Sequence, residues 1–202
     1  MTTRISTKVA GVYMALAAGC AEKSPPAVEV GASQLALGSI PAKGGARLAV
    51  TTPAFAAGGD IPFENTAYRG NIFPGLAWTV GPAGTVSYVV IMQDGDAMSK
   101  GAPILHWTMF NIPATVTKLD AAMTSPPEGA QYGPNNHGPA QPYAGPRTPA
   151  GPRHRYHFQL FALDTTIPAA ASGDYAALTA AMKDHVLASG EVIGLGRAEG
   201  SR

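Results

Sequence analysis

The chain has 202 residues, enough for one domain with its own core plus extensions. Only 13% of them are charged, against roughly 25% in an average soluble domain, while 24 glycines and 18 prolines favour strands and ordered turns over long surface helices. A formal charge of +1 implies no basic surface and excludes nucleic acid as a partner.

Met1 to Gly19 reads as a secretory signal. Arg4 and Lys8 make a basic start, Val9 to Gly19 is an uncharged apolar run too short to span a bilayer as a helix, and small residues precede Cys20. Removing it takes Arg4 and Lys8 from the 14 basic residues and leaves 12 against 13 acidic ones, a charge near −1. Leu16-Ala17-Ala18-Gly19-Cys20 resembles the bacterial lipobox, in which the cysteine is lipidated and becomes the new amino terminus; Ala17 departs from the Leu preferred there. The other readings of Cys20 are plain secretion and a buried free thiol. As the only cysteine, it excludes an internal disulfide. Residues 20–45 carry Pro25-Pro26 and little apolar periodicity, and read as a flexible tether holding a lipid-anchored domain off the membrane. The domain itself is expected over 46–202, and the protein as exported, either periplasmic or a membrane-anchored lipoprotein.

Leu48 to Thr52 reads as a first strand, and Gly58-Gly59-Asp60-Ile61-Pro62 marks the next turn. Trp78, Val80, Val86, Tyr88, Val90 and Met92 are core candidates on strands leading to Asp94. Asp94 and Asp96 follow the run Ser87 to Gln93 and point the same way if the chain stays extended. Their other reading is an Asx-type turn, with Asp96 taking part of that work while Asp94 faces a pocket. Pro103 to Pro113 is a strand in which His106 begins a row with Thr108 and Phe110. His106 is either a hydrogen-bonded core histidine or a pocket residue. Thr115 to Pro152 is too rich in proline and glycine to form a ladder and reads as a binding loop. It delivers Gly145, Pro146 and Pro149 beside His154, where a bare glycine lets a ligand approach main-chain N–H groups.

In Arg153 to Asp164, His154 and Tyr156 share a face that continues with Phe158, Leu160 and Ala162, while Arg155 faces the other way toward an ion pair. Ser172-Gly173-Asp174 starts a helix with Leu178, Met182 and Val186 spaced four apart and Gly190 closing it; Glu191 to Leu195 is the last strand. His137, His157 and His185 read as surface or satisfied polar positions.

The order Asp94-Gly95-Asp96-Ala97, His106-Trp107 with Asn111-Ile112-Pro113 following, and Gly145-Pro146-Arg147-Thr148-Pro149-Ala150-Gly151-Pro152-Arg153-His154-Arg155-Tyr156 resembles the phosphatidylethanolamine-binding proteins, in their bacterial, Raf-kinase-inhibitor-like branch. Phe73-Pro74-Gly75-Leu76-Ala77-Trp78 and Gly133-Pro134-Asn135-Asn136-His137-Gly138 are similar to two further segments of that family, and Met182 to Gly196 to its bacterial tail. The resemblance implies a mainly β fold, an antiparallel β-sandwich with a few peripheral helices. It also implies a pocket for phosphate-bearing head groups and other small anions at Asp94, His106, the Gly145 to Pro149 loop, His154 and Tyr156. This sequence departs from the family's D-P-D-A-P at Gly95 and Met98, and from its C-P-P at Arg147 and Thr148. Arg147 puts a cation near the mouth, where it either strengthens anion binding or faces solvent.

Two imidazoles and loop N–H groups can donate to phosphate or carboxylate oxygens, and Asp94 can orient a histidine or accept from an ammonium head group. The leading expectation is a binding module for a small anion or phospholipid head group, with no catalysis, no cofactor and no metal. The alternatives are an acid–base enzyme or hydrolase using the same Asp/His cluster, and an inhibitor of a protein partner. Against an enzyme, no G-x-S-x-G is present, and against a metal site at Asp94, His106 and His154, no H-E-x-x-H.

Overall fold

The structure is a computed structural model that describes residues 30–200. The secretory signal, Cys20 and the first part of the expected tether lie outside the described residues. In chain order the elements are α1 (Ala36–Ser39), β1 (Ala46–Arg47), β2 (Val50–Thr51), β3 (Leu76–Trp78), β4 (Ser87–Ser99) and β5 (Ala102–Pro113). Then come β6 (Lys118–Leu119), β7 (Gln131–Tyr132), β8 (His154–Leu163), α2 (Tyr175–Met182) and β9 (Val186–Gly196).

Among the described residues the strands form a large sheet of order β1-β9-β8-β4-β5-β7 and a small one of order β2-β3-β6. The long central strands are antiparallel, and the short edge strand β1 runs parallel to β9. One core lies between the sheets, where Val50, Leu76, Trp78 and Leu119 of the small sheet meet Tyr88, Val90, Met92, Trp107, Met109, Phe158 and Leu160 of the large one. A second core covers the other face: Val89, Ile91, Phe110, Phe161 and Leu163 pack under Ala36, Ile40, Leu178 and Met182. Both faces of β4 are therefore apolar, which is why Tyr88 to Met92 is an unbroken hydrophobic run rather than an alternating one. The mainly β sandwich with peripheral helices stands as expected.

Three expectations need correction. Residues 30–45, expected to be tether, are packed chain. Ala36 and Ile40 are buried, and two buried glutamines reach up from the large sheet to hold the backbone there. Gln93 Oε1 accepts from the Ala36 N–H at 2.8 Å, Gln159 Oε1 accepts from the Leu37 N–H at 2.6 Å, and Gln159 Nε2 donates to Gln93 Oε1 at 2.9 Å. Val80 and Val86 are 75% and 47% exposed and lie in the connection between β3 and β4, ahead of the buried run that begins at Ser87. The helix begins at the Asp174 cap, whose carboxylate accepts from the Ala176 and Ala177 N–H groups, but it ends after Met182. Asp184 takes a positive φ of 64°, and Val186 and Gly190 belong to β9.

The paired glutamines make a test. Gln159→Leu strands the Leu37 N–H in a buried position and is expected to cost about 1–3 kcal/mol in urea unfolding, with faster proteolysis within residues 30–45. Unchanged stability and unchanged cleavage there would mean that the apolar contacts alone hold the segment.

Candidate functional site

Two irregularities in β-pairing assemble the site. On the β8 side, β4 stays in register as far as Asp94 opposite Tyr156. On the β5 side its pairing jumps from Gln93–Leu105 to Met98–Pro103, so residues 94–97 have no ladder partner there. The freed turn is held by Asp94 itself, whose Oδ1 accepts from the Asp96 N–H at 2.8 Å, so the Asx role falls to Asp94 rather than Asp96. The second irregularity is at His106. Met92 pairs with Trp107 and Gln93 with Leu105, which makes His106 the extra residue of a bulge. A regular strand would put His106 in the row of Phe110, inside the second core. The bulge turns it instead against Tyr156, with ring centroids 5.2 Å apart at 80°.

Asp94, His154 and His106 are 2%, 6% and 5% exposed. His154 Nδ1 donates to Asp94 Oδ2 at 2.8 Å, and its ring lies nearly parallel to Tyr156 with centroids 6.4 Å apart. His106 Nδ1 donates to the Ala144 carbonyl at 2.8 Å, while its Nε2 is buried without a hydrogen-bond partner. The indole N–H groups of Trp78 and Trp107 are buried and unpartnered too, but those rings pack against Tyr88 and against Phe73 and Tyr143. The Tyr156 hydroxyl is 3.0 Å from Thr148 Oγ1.

The electrostatics separate the two histidines. The hydrogen bond to Asp94 raises His154 above its ordinary value despite burial. Burial pushes His106 down from 6.5 to about 4, against the pull of the Ala144 carbonyl and Asp94. Tyr156 is held well above the usual tyrosine range by burial and by Asp94. One imidazole is therefore disposed to be cationic and the other neutral.

The residues picked from sequence divide into two groups. Asp94, His106, His154 and Tyr156 converge. Asp96 is engaged elsewhere: its Oδ2 accepts from the Arg155 N–H at 2.7 Å and from Nε at 3.0 Å, and its Oδ1 accepts from Nη2 at 2.7 Å. Burial raises the Asp96 carboxyl, but these bonds to Arg155 outweigh it and hold the group below the usual value. Arg155 thus makes the ion pair expected of it.

Gly145 is beside the site, but its N–H donates to Asn71 Oδ1 at 2.7 Å, and an added Cβ would meet the Asn65 carbonyl at 2.5 Å. Its glycine is required by close packing against residues 65–71 rather than by a ligand. Pro146 is held through its carbonyl by the Ala67 N–H, and Pro149 is exposed; neither has an N–H to offer. His157 and His185 are satisfied by Glu191 and Asp164. The departure at Gly95 has a local cause, since a Cβ there would come within 2.6 Å of His157 Nε2.

Sequence reasoning missed Thr148, Tyr68 and His137. Tyr68 donates its hydroxyl to the Thr148 carbonyl and lies under the Arg147 guanidinium, 5.8 Å from its ring centroid. His137 puts a third imidazole 5.6 Å from His106. Its signal was its place in the Gly133 to Gly138 loop, where Gly133 N–H and Asn136 N–H tie back to Thr108 and Leu105 on β5.

Among the described residues no group of three His, Cys, Asp or Glu is arranged to hold a metal ion, and no helix is long and apolar enough to cross a membrane. Two grooves of about 390 Å³ lie elsewhere, one between α1 and α2 and one along Tyr132 to Pro142. Neither is lined by Asp94, His106 or His154, so the site is identified by its chemistry and not by volume.

Residues 51–197 match the family model described as phosphatidylethanolamine-binding protein. A UPF0098 protein of Methanothermobacter thermautotrophicus is 38% identical over 149 residues, 72% of this chain and 96% of that protein. LppC of Mycobacterium tuberculosis, named as a candidate lipoprotein, is 32% identical over 166 residues, 80% of this chain and 77% of its own. The crystal structure of Escherichia coli YbcL, described as a member of the mammalian PEBP family, superposes with a TM-score of 0.69 at 31% identity, covering 76% of this chain and 100% of that one.

The two histidines have opposite effects on stability. For His106 the unfolded chain binds the proton more readily, so the stability gained by keeping it neutral is complete above pH 6.5 and is lost as pH falls toward 4. The full effect is on the order of 3 kcal/mol. For His154 the contribution is complete below its unfolded value and is lost as pH rises through the raised one. His106→Gln is expected to flatten the loss of unfolding free energy between pH 6.5 and 4; an unchanged acid slope would contradict a buried neutral imidazole.

Proposed function

The chain belongs to the phosphatidylethanolamine-binding protein family, and we propose that it is an exported binding protein that holds a small anionic or phosphate-bearing ligand between His154 and His106. One observation carries this reading. Each imidazole spends Nδ1 on the protein, on Asp94 and on the Ala144 carbonyl, and His106 keeps a buried Nε2 with no hydrogen-bond partner among the described residues. Buried polar atoms are rarely left unpaired without a purpose. The Asp94–His154 pair supplies a cationic donor, and Arg147, exposed and laid across Tyr68, adds positive charge beside Thr148. Gly145 N–H is left out of the ligand set because Asn71 already accepts it.

The test is thermal or chemical protection by inorganic phosphate. At 100 times the dissociation constant, phosphate is expected to add about 2.7 kcal/mol to the native chain. His154→Ala and His106→Ala are each expected to remove that protection while leaving a folded protein. Unchanged protection in both variants would refute the reading.

The same proposal includes export. Residues 1–19 act as a secretory signal and Cys20 as the lipidated residue, which the lipoprotein name of the mycobacterial relative supports. Cys20→Ser is expected to move the protein from the membrane fraction to the soluble one; unaltered partitioning would count against the anchor.

A further inference from the structure

On the binding reading above, we infer that residues 30–37 form a strap that positions the Asp94 turn, so that docking of this segment and occupancy of the site are coupled. Val30 and Gln93 are its positioning residues, acting through Asp94 rather than on the ligand.

The turn takes support from outside the long strands. Residues 94–97 have no ladder partner on the β5 side, and Asp94 spends Oδ2 on His154 and Oδ1 on the Asp96 N–H. Between the two aspartates, the Gly95 carbonyl accepts the Val30 N–H at 3.1 Å, and Val30 is buried, which keeps water from competing for that bond. Just before Asp94, Gln93 Oε1 accepts the Ala36 N–H at 2.8 Å and Gln159 Nε2 at 2.9 Å, while Gln93 Nε2 donates to the Tyr175 hydroxyl on α2 at 3.2 Å. Gln159 Oε1 accepts the Leu37 N–H at 2.6 Å. The strap therefore grips the chain on both sides of Asp94, at Gln93 and at Gly95, and Ala36 and Ile40 fix it to the second core.

This chain has particular need of such a grip. Where the family's D-P-D-A-P carries prolines that fix the backbone, Gly95 and Met98 stand here, and glycine leaves the turn its full conformational freedom. The Val30 N–H restrains from outside what proline would restrain from within. Residues 30–37 also lie outside the matched residues 51–197, so the strap reaches the site from beyond the shared domain. Residues 20–29 lead directly into Val30, which makes the strap the point where the proposed Cys20 anchor joins the domain. Coupling between two sites is reciprocal: a strap that favours the ligand-competent turn is itself held more firmly when ligand is bound.

Val30→Pro removes the N–H that the Gly95 carbonyl accepts, and Val30→Ala keeps it. Calorimetric titration of the full-length chain with inorganic phosphate at pH 6.5 is expected to give a dissociation constant roughly 3- to 10-fold higher for Val30→Pro, the size set by one hydrogen bond, and within about twofold of the parent for Val30→Ala. Amide hydrogen exchange supplies two readouts that a merely structural contact would not move. In the ligand-free chain the Asp96 N–H, which closes the turn onto Asp94, is expected to exchange about tenfold faster in Val30→Pro, while the Phe161 N–H in the middle of β8 is unchanged. In the parent chain, phosphate is expected to slow exchange of the Ala36 and Leu37 N–H groups. Equal phosphate affinity in all three chains, or an equal loss in both variants, overturns the inference and leaves the anion site standing. No binding of phosphate by the parent removes the underlying reading, and the Asp96 N–H then decides the strap alone: unchanged exchange in Val30→Pro overturns it, and faster exchange upholds it.

Discussion

The hydrogen bond from His154 Nδ1 to the Asp94 carboxylate, 2.8 Å long and almost wholly removed from solvent, is the constraint on which the site depends. Two groups this well buried persist only as a pair, because either alone would be an uncompensated buried charge or an unsatisfied ring. The pair also fixes everything near it. Asp94 can reach His154 because β4 and β8 stay in register through Asp94 and Tyr156 while β4 has already parted from β5. Asp94's other oxygen closes the turn to Asp96, and this turn presents Asp96 to Arg155, so a second ion pair on the same two strands braces the first.

The wider fold serves this arrangement through layering. The large sheet is largely apolar on both faces, so its central strands have little freedom to slip. Where polar residues do enter the sheet interior they come as a closed set. Gln93 and Gln159 bond each other and hand their remaining acceptor capacity to the backbone of residues 36 and 37. The same N-terminal segment donates from Val30 N–H to the Gly95 carbonyl, which ties the outer layer to the turn that carries Asp94.

Much of this was legible in the sequence because period-2 alternation is a local property. It placed His154 and Tyr156 on one face above Phe158 and Leu160, and Arg155 on the other, as the structure has them. It failed where registry changes. His106 belongs to the site only because a bulge breaks the alternation that would have sent it toward Phe110, and no residue type at 105–107 announces that bulge. Gly145 was read as ligand-facing from its type, but the deciding facts, Asn71 Oδ1 and the Asn65 carbonyl, come from a segment more than seventy positions away. Residues 30–45 looked like spacer because only a few scattered apolar residues, Ala36 and Ile40 among them, pack into the core, and the main-chain N–H groups of Ala36 and Leu37 that help to hold the segment leave no compositional trace. The Gly95 departure became interpretable only with His157 lying against it.

On the binding reading, two imidazoles of opposite proton character, His154 and His106, address one ligand. A high-resolution crystal structure of the protein soaked with phosphate tests it most directly. The anion is expected within hydrogen-bond distance of Nε2 on both rings, with Tyr156 beside it. A phosphate held only by the exposed arginines, at Arg147 or Arg153, with His106 Nε2 still unpartnered, would contradict it.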